Sequence, residues 1–270
     1  MPLSFIKMDG AGNDFVIFDA RRQPLRLTPE QVRAIAARDN PVTKGCDQVV
    51  VLEPSQQADI FMRITNADGG EVGSCGNASR CAAWLIHSEV GRSSVTIETA
   101  AGIITAEVKD QSRITVDMGK PRLGWKDIPL AEERDTLHFA VDGVPDAAAV
   151  NMGNPHMVFF VPDTRAVKLA ELGPLLEHHP LFPERANISV AKVEAKDAIT
   201  LRVWERGAGL TLACGTAACA TLVAAHLRGL TGRKAAVHLP GGTLHIEWRA
   251  DDHVLMNGPV AIGFRGTYEC

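Results

Sequence analysis

No stretch of the 270-residue chain is apolar for the roughly 20 residues that a transmembrane helix needs. The opening MPLSFIKMDG has no cationic segment followed by an apolar run, so no secretory leader is expected. Charge of one sign is missing too: 28 Lys and Arg against 32 Asp and Glu give a formal net charge of -4. That balance argues against a nucleic-acid or anionic-membrane partner. No Cys-x-x-Cys is present, and neither the Cys75/Cys81 nor the Cys214/Cys219 spacing carries a matching histidine pattern. A thiol-redox or metal-binding protein is therefore disfavoured. These absences predict a cytoplasmic protein whose thiols stay reduced, so its six cysteines read as core or reactive groups rather than staples. What remains is an ordinary globular composition, 46% apolar and 22% charged, on a chain long enough for one large domain or two small ones.

Strand-like runs alternate with four helical patterns. Thr28-Pro29-Glu30 opens the first helix with a capping hydroxyl, a proline and an early acid. The second follows Gly76, with Cys81, Ala82, Leu85 and Ile86 at helical spacing and Gly91 beyond its end. The third covers about Leu169 to His178, and the fourth Thr216 to Arg228. β-Rich segments are Gln48–Leu52, Ile60–Thr65, Val95–Glu107, Ile114–Met118, Met157–Val161 and Ile199–Trp204. A hairpin from Ala236 to Trp248 is expected to turn at Gly241-Gly242.

The order helix, strands, helix, hairpin occurs twice. Arg63 to Gly76 lies over Arg202 to Gly215 without a gap, at a constant offset of 139 residues. Five of the 16 positions from Arg63 to Ala78 are identical, among them Cys75-Gly76 against Cys214-Gly215. Both Cys-Gly pairs sit where a strand and a Gly-rich loop feed a helix. The chain thus reads as two similar α/β halves related by a pseudo-twofold, with a boundary near Gly119–Leu130.

A cysteine at a helix start sits beside unpaired backbone N–H groups and the positive end of the dipole, which lower a thiol's pKa. The same N–H groups suit a substrate carboxylate. If both helix starts met at one site, the two thiols would face opposite sides of the carbon beside that carboxylate. Two-base stereoinversion needs this: one thiolate removes the α-proton while the other thiol delivers one to the opposite face. An isolated Cys-Gly pair is most often structural, and the repetition is what favours chemistry. Cys81 and Cys219 fall inside the helices as core thiols, and Cys46 and Cys270 have no paired context.

The stretches around these elements resemble diaminopimelate epimerase: Met8-Asp-Gly-Ala-Gly-Asn13-Asp14-Phe15, Gly45-Cys-Asp47-Gln48, Asn66-Ala-Asp-Gly, Ser74-Cys75-Gly76-Asn77, Met152-Gly-Asn154-Pro155-His156, Arg185-Ala-Asn187 and Glu205-Arg206-Gly-Ala-Gly with Ala213-Cys214-Gly215-Thr216. They occur in the family's order over nearly the whole chain. The resemblance implies two similar halves, each a β-sheet or barrel-like layer around a central helix, with the active site in the cleft between them. Residues 1–119 would form the half carrying Cys75, joined by the tail 260–270, and residues 120–259 the half carrying Cys214. It implies conversion of L,L- to meso-diaminopimelate, in lysine and cell-wall precursor biosynthesis, with no cofactor, pyridoxal phosphate or metal, by a homodimer.

Residue by residue, the resemblance implies Cys75 and Cys214 as the acid/base pair and His156 and Glu205 as groups that tune them. Asn13, Gln48, Asn66, Asn154, Asn187, Glu205 and Arg206 would bind substrate, and Gly76-Asn77 with Gly215-Thr216 would cradle a carboxylate. Chemistry is consistent with this, because a substrate with two ammonium and two carboxylate groups needs all four paired when buried. Arg206 can fork onto a carboxylate and Glu205 can accept from an ammonium. Leu210 stands where many family members carry an acid, and Ala78 and Ala217 replace frequent glycines. Two alternatives remain: a racemase of proline, hydroxyproline or histidine on the same fold, and a non-catalytic amino-acid binding module. The pair Glu205-Arg206, with Asn66 and Asn187, favours a second zwitterion over the first.

Overall fold

The computed structural model describes residues 2–269, so Cys270 lies outside the described residues. The chain divides into two compact units, Met1–Val116 with Gly258–Cys270, and Asp117–Asn257. The first begins with β1 (Pro2–Asp9), β2 (Asp14–Asp19), α1 (Pro29–Ala36) and β3 (Gln48–Glu53). It continues through β4 (Ile60–Asn66), β5 (Glu71–Val72), α2 (Gly76–Val90), β6 (Ser94–Thr99), β7 (Gly102–Asp110) and β8 (Arg113–Asp117). β2 lies antiparallel to β1 and parallel to β3. β4 is antiparallel to β3 and β5 and parallel to β6, from which β7 and β8 follow as an antiparallel meander.

The second unit carries β9 (Phe139–Val141), β10 (Val144–Asn151), β11 (Pro155–Phe160), α3 (Leu169–Glu177), β12 (Asn187–Ala195) and β13 (Ala198–Glu205). Then come β14 (Gly209–Thr211), α4 (Gly215–Leu227), β15 (Lys234–Leu239), β16 (Gly242–Trp248) and β17 (Val254–Gly258). Its pairings from β10 to β16 and β17 run in the same order and the same senses as those from β1 to β8. Similarity of the halves is thus a matter of pairing order and not only of the matched loops. β9 pairs with β10, and the final strand β18 (Ala261–Glu269) pairs with β1, from Pro2 opposite Glu269 onward.

Local chemistry explains the elements. Thr28 accepts from the Gln31 N–H while the Gln31 side chain accepts from the Thr28 N–H, a capping box that starts α1. The Val32, Ile35 and Ala36 face of α1 packs on Phe5, Val16, Phe18 and Val49. In the second unit Leu169 and Leu176 of α3 join Met157, Phe159, Ile188 and Val190 in a core. α2 and α4 are different. Every residue from Gly76 to Ala83 is buried, as is every residue of Gly215–Ala225 except Thr216. α4 packs against β10, β11, β12, β13, β15 and β16 of its own unit, so it has strands around it and no solvent face. Its run of Ala, Cys and Thr keeps the helix thin enough for that enclosure.

Two sequence expectations shift by a residue or an element. Leu239 pairs with Gly242, so the hairpin turns at Pro240-Gly241, and Gly242 (φ 155°) begins the return strand. The segment Val95–Glu107 is two strands joined at Ala100-Ala101, with Thr99 opposite Gly102.

Candidate active site

Cys75 is the N-cap of α2, in extended backbone at φ -147° and ψ 112°. The Ser79 N–H bonds back to the Cys75 carbonyl, which leaves the N–H groups of Gly76, Asn77 and Ala78 without intrahelical partners at the helix start. The Cys75 thiol, partly exposed, donates to Asn13 Oδ1 at 3.8 Å. Asn77 Nδ2 donates to the same oxygen at 3.5 Å, and Asn77 Oδ1 is buried with no partner. Gln48 and Asn66, at the start of β3 and the end of β4, stand opposite each other, and Gln48 Nε2 donates to Asn66 Oδ1 at 2.9 Å. Gln48 Oε1 is buried and unpartnered. Asn13, Asn77 and Cys75 therefore converge, and Gln48 and Asn66 form a second pair in the same unit.

Asn13 is held from behind. Its Nδ2 donates to Asp47 Oδ2 at 2.8 Å, and the Asp14 N–H donates to that oxygen at 3.0 Å. The Asp47 N–H returns a bond to Asp14 Oδ1 at 2.9 Å, so the starts of β2 and β3 are clipped together from both sides. Arg38 spans both carboxylates, and Lys7 pairs with Asp14 at 2.6 Å while donating to the Gly45 carbonyl. Burial alone raises the Asp14 carboxyl, but Arg38 and Lys7 outweigh it and hold the pKa down to about 2. Asp47 is pushed up, chiefly by burial. Sequence reading quoted Asp14 and Asp47 inside motifs without giving them work; the available signal was a carboxylate opening an otherwise apolar strand.

In the second unit Cys214 caps α4 in nearly the same backbone, φ -138° and ψ 111°. Thr216 Oγ1 lies 3.6 Å from its sulfur, and Asn154 Nδ2 donates to that hydroxyl at 3.4 Å. His156 is fully buried, and its Nε2 meets Asn154 Oδ1 at 2.8 Å. With a carbonyl oxygen as partner, Nε2 carries the proton, and Nδ1 is buried without a partner. Burial first, then the Arg206 charge, pushes the imidazole down to about 3, so it is neutral. His156 reaches Cys214 only through Asn154 and Thr216.

The helix-start argument predicts a lowered thiol, and at Cys214 the outcome is the reverse. Burial, followed by the adjacent Glu205 carboxylate, pushes this thiol well above its ordinary pKa; the Thr216 hydroxyl and Ala217 N–H pull it down less strongly. Glu205 also accepts from Thr211 Oγ1. Asn187 Oδ1 accepts from the Arg206 N–H at 3.0 Å, its Nδ2 donates to the Pro155 carbonyl, and the Arg206 guanidinium donates to the Glu184 carbonyl at 2.8 Å.

One residue that sequence reading missed ties these loops together. Glu177, buried at the end of α3, accepts from Trp204 Nε1 at 2.7 Å, from the Gly207 N–H at 2.9 Å and from Arg185 Nη1 at 3.3 Å. Its signal was an acid in the last turn of a helix, where the dipole disfavours it. Cys46 and Cys81 are buried, and burial drives both thiols up, Cys46 to about 12; they suit the core and not chemistry. Leu210 is exposed in β14. Among the described residues no group of three or more His, Cys, Asp or Glu side chains could hold a metal ion.

A family description, "Diaminopimelate epimerase", matches residues 5–124 and 148–262. A relative of that name from Rhodospirillum centenum is 58% identical over 266 residues, covering 97% of this chain and 91% of the relative. Another from Acidiphilium cryptum is 55% identical over 98% of this chain and 96% of the relative. Among solved structures, a hydroxyproline epimerase from Agrobacterium vitis superposes with a TM-score of 0.67 at 15% identity, over 99% of this chain and 91% of that one. That last likeness is one of fold.

Proposed function

The chain belongs to the diaminopimelate epimerase family, and from that premise we propose that it interconverts L,L- and meso-diaminopimelate, one of Cys75 and Cys214 removing the α-proton and the other supplying a proton to the opposite face. The observation that carries the reading is the duplicated helix start: two cysteines cap two enclosed helices in matching backbone, each beside unpaired N–H groups. An α-carbon between ammonium and carboxylate is weakly acidic, so a cysteine thiolate close in pKa to the working pH is a suitable base. The N–H groups of Gly76-Asn77 and Gly215-Thr216 stabilise the carboxylate as negative charge builds on it.

Glu205 gives the substrate a way to alter Cys214. Before substrate arrives, its carboxylate opposes a thiolate at Cys214. An ammonium placed against Glu205 neutralises that opposition, so the base forms when substrate binds. The thiolate takes the α-proton, the electron pair passes into the carboxylate-stabilised carbanion, and the other thiol's proton goes to the opposite face. Arg206, Asn187, Asn154, Asn66, Gln48 and Asn13 supply donors and acceptors for the distal amino acid, and that requirement argues against a proline or histidine substrate. The same reading includes a cytoplasmic location, in which the thiols stay reduced. It also includes a homodimer; exposed Ile262 and Phe264 on β18 offer a second copy an apolar edge.

NMR of reduced protein with L,L-diaminopimelate in D₂O tests the reading, with L-proline, trans-4-hydroxy-L-proline and L-histidine in parallel. The expected result is deuterium at one α-carbon with meso isomer accumulating. Exchange with proline, hydroxyproline or histidine alone would overturn the substrate, and no exchange with any would overturn catalysis.

A further inference from the structure

Asn13 and Asn154 occupy matching places, each immediately before a strand, β2 and β11, that pairs antiparallel with the strand preceding it. Their amides are locked with opposite polarity. Asn154 has its oxygen held by His156 Nε2, so its N–H group points outward to Thr216 Oγ1, which shares a hydrogen bond with the Cys214 sulfur at 3.6 Å. Asn13 has its N–H group held by Asp47, so its oxygen points outward to Cys75. The Asn13 oxygen therefore faces Cys75 as an acceptor, the part that the Glu205 carboxylate plays at Cys214. A donor facing sulfur favours thiolate; an acceptor facing it favours thiol.

We propose that Asp47 is a positioning residue: by committing the Asn13 N–H group it keeps the Asn13 oxygen on Cys75 and holds this cysteine in its thiol form. The inference rests on the two-cysteine reading for its meaning in catalysis, but its physical content does not. Asp47 itself is fixed by Arg38, by the Asp14 N–H and by its own N–H on Asp14, so it cannot swing away from Asn13. Among the described residues Asp47 is the acceptor that holds the Asn13 amide nitrogen, and without it a half-turn about χ2 exchanges oxygen and nitrogen at nearly equal shape. The charged groups around the pair are Lys7 and Asp9 from β1, Asp14 from β2, Arg38 after α1 and Arg80 from α2. The corresponding position in the second unit is Ala186, which has no side chain to do this. A protonated Cys75 is also the form that resists oxidation and alkylation, since the thiolate is the nucleophile.

The test reads Cys75 directly: the pH dependence of its iodoacetamide alkylation, followed by peptide mass spectrometry in full-length wild-type, Asp47→Asn, Asn13→Ala and the double variant. Circular dichroism and thermal melting establish that each variant is folded. In Asp47→Asn the alkylation midpoint should fall by about one pH unit, seen as roughly tenfold faster alkylation at fixed pH below it. In the Asn13→Ala background the same substitution should have no further effect, because the amide it orients is gone. An equal fall in both backgrounds would mean that Asp47 acts only as a nearby negative charge, and an unchanged midpoint would mean it does not act on Cys75 at all; either overturns the proposal. Arg38→Met leaves Asp47 on Asn13 and should not lower the midpoint, so a fall matching that of Asp47→Asn would assign the effect to a loosened loop and overturn it as well. Alkylation needs no turnover, so loss of epimerase activity in any variant leaves this result readable.

Discussion

Replacing Glu177 by glutamine isolates what one buried carboxylate contributes, because size and shape stay nearly constant. Oε2 accepts from Trp204 at 2.7 Å, and Oε1 accepts from the Gly207 N–H at 2.9 Å. An amide retains one acceptor oxygen, so either Trp204 or Gly207 must face an NH₂ group. A buried donor left unpaired costs about 1–3 kcal/mol. The surviving bond loses its charge assistance, about 1 kcal/mol more. Arg185 adds little, since its side chain is half-exposed. The expected destabilisation is about 2–4 kcal/mol, or roughly 5–15 °C in Tm at the sensitivity of a domain this size. Scanning fluorimetry and urea unfolding followed by tryptophan emission measure it. Gly207 adjoins Arg206, so KM for diaminopimelate should rise at temperatures where the variant is folded, with a smaller change in kcat. A Tm within about 1 °C of wild type would refute the reasoning, because a buried carboxylate with these donors cannot be energetically idle.

Other consequences are equally open to measurement. Cys75→Ser and Cys214→Ser should each slow α-deuterium exchange by at least about a hundredfold while keeping the circular dichroism spectrum; near-normal exchange would remove that cysteine from the mechanism. His156 is neutral in the fold with its pKa at about 3, whereas an unfolded histidine protonates near 6.5. The unfolded chain therefore takes up an extra proton below pH 6.5, and folding should weaken by about 1.4 kcal/mol between pH 7.5 and 5.5 from this residue. Urea titrations of wild type and His156→Gln at both pH values check it, the variant being expected to lack that increment. Gly173→Ala would set a methyl 2.5 Å from Trp204 Cγ and Cδ2, a rigid ring, and should cost about 1–3 kcal/mol in chemical denaturation. Unchanged stability would mean that α3 moves freely off β13.

The parts legible in the sequence were those that announce themselves locally. Thr28-Pro29 and the Cys-Gly pairs marked helix starts to within a residue, because capping chemistry is a property of a few consecutive side chains. The fourth helix was placed over Thr216 to Arg228 against Gly215–Leu227 in the structure, but its enclosure on all sides was not read from the sequence. Less legible was everything built by strand pairing across long separations. β1 and β18 were not marked as strands, and neither alternates cleanly: β1 keeps Lys7 buried on an ion pair, and β18 is largely exposed. The lowering of thiol pKa expected at the helix start failed for Cys214, since local geometry says nothing of burial or of Glu205, which arrives from β13. Asp47 and Glu177 were overlooked for the same reason: their importance lies in which donors meet them, and Asn13 and Asp14 are 34 and 33 residues from Asp47, Trp204 and Gly207 27 and 30 from Glu177.

The pairing of the last strand with the first has a consequence for how the chain is made. During synthesis β1 leaves the ribosome with β2 but about 250 residues ahead of β18, and Arg80, which donates to the Pro259 carbonyl in the finished fold, is made long before that carbonyl exists. The unit holding Cys214 is continuous in sequence and can complete its sheet as it emerges, whereas the unit holding Cys75 waits for the whole of the other to be translated. Nascent chains of this protein therefore carry an open strand edge for most of their time on the ribosome, and the half that begins first is the half that finishes last.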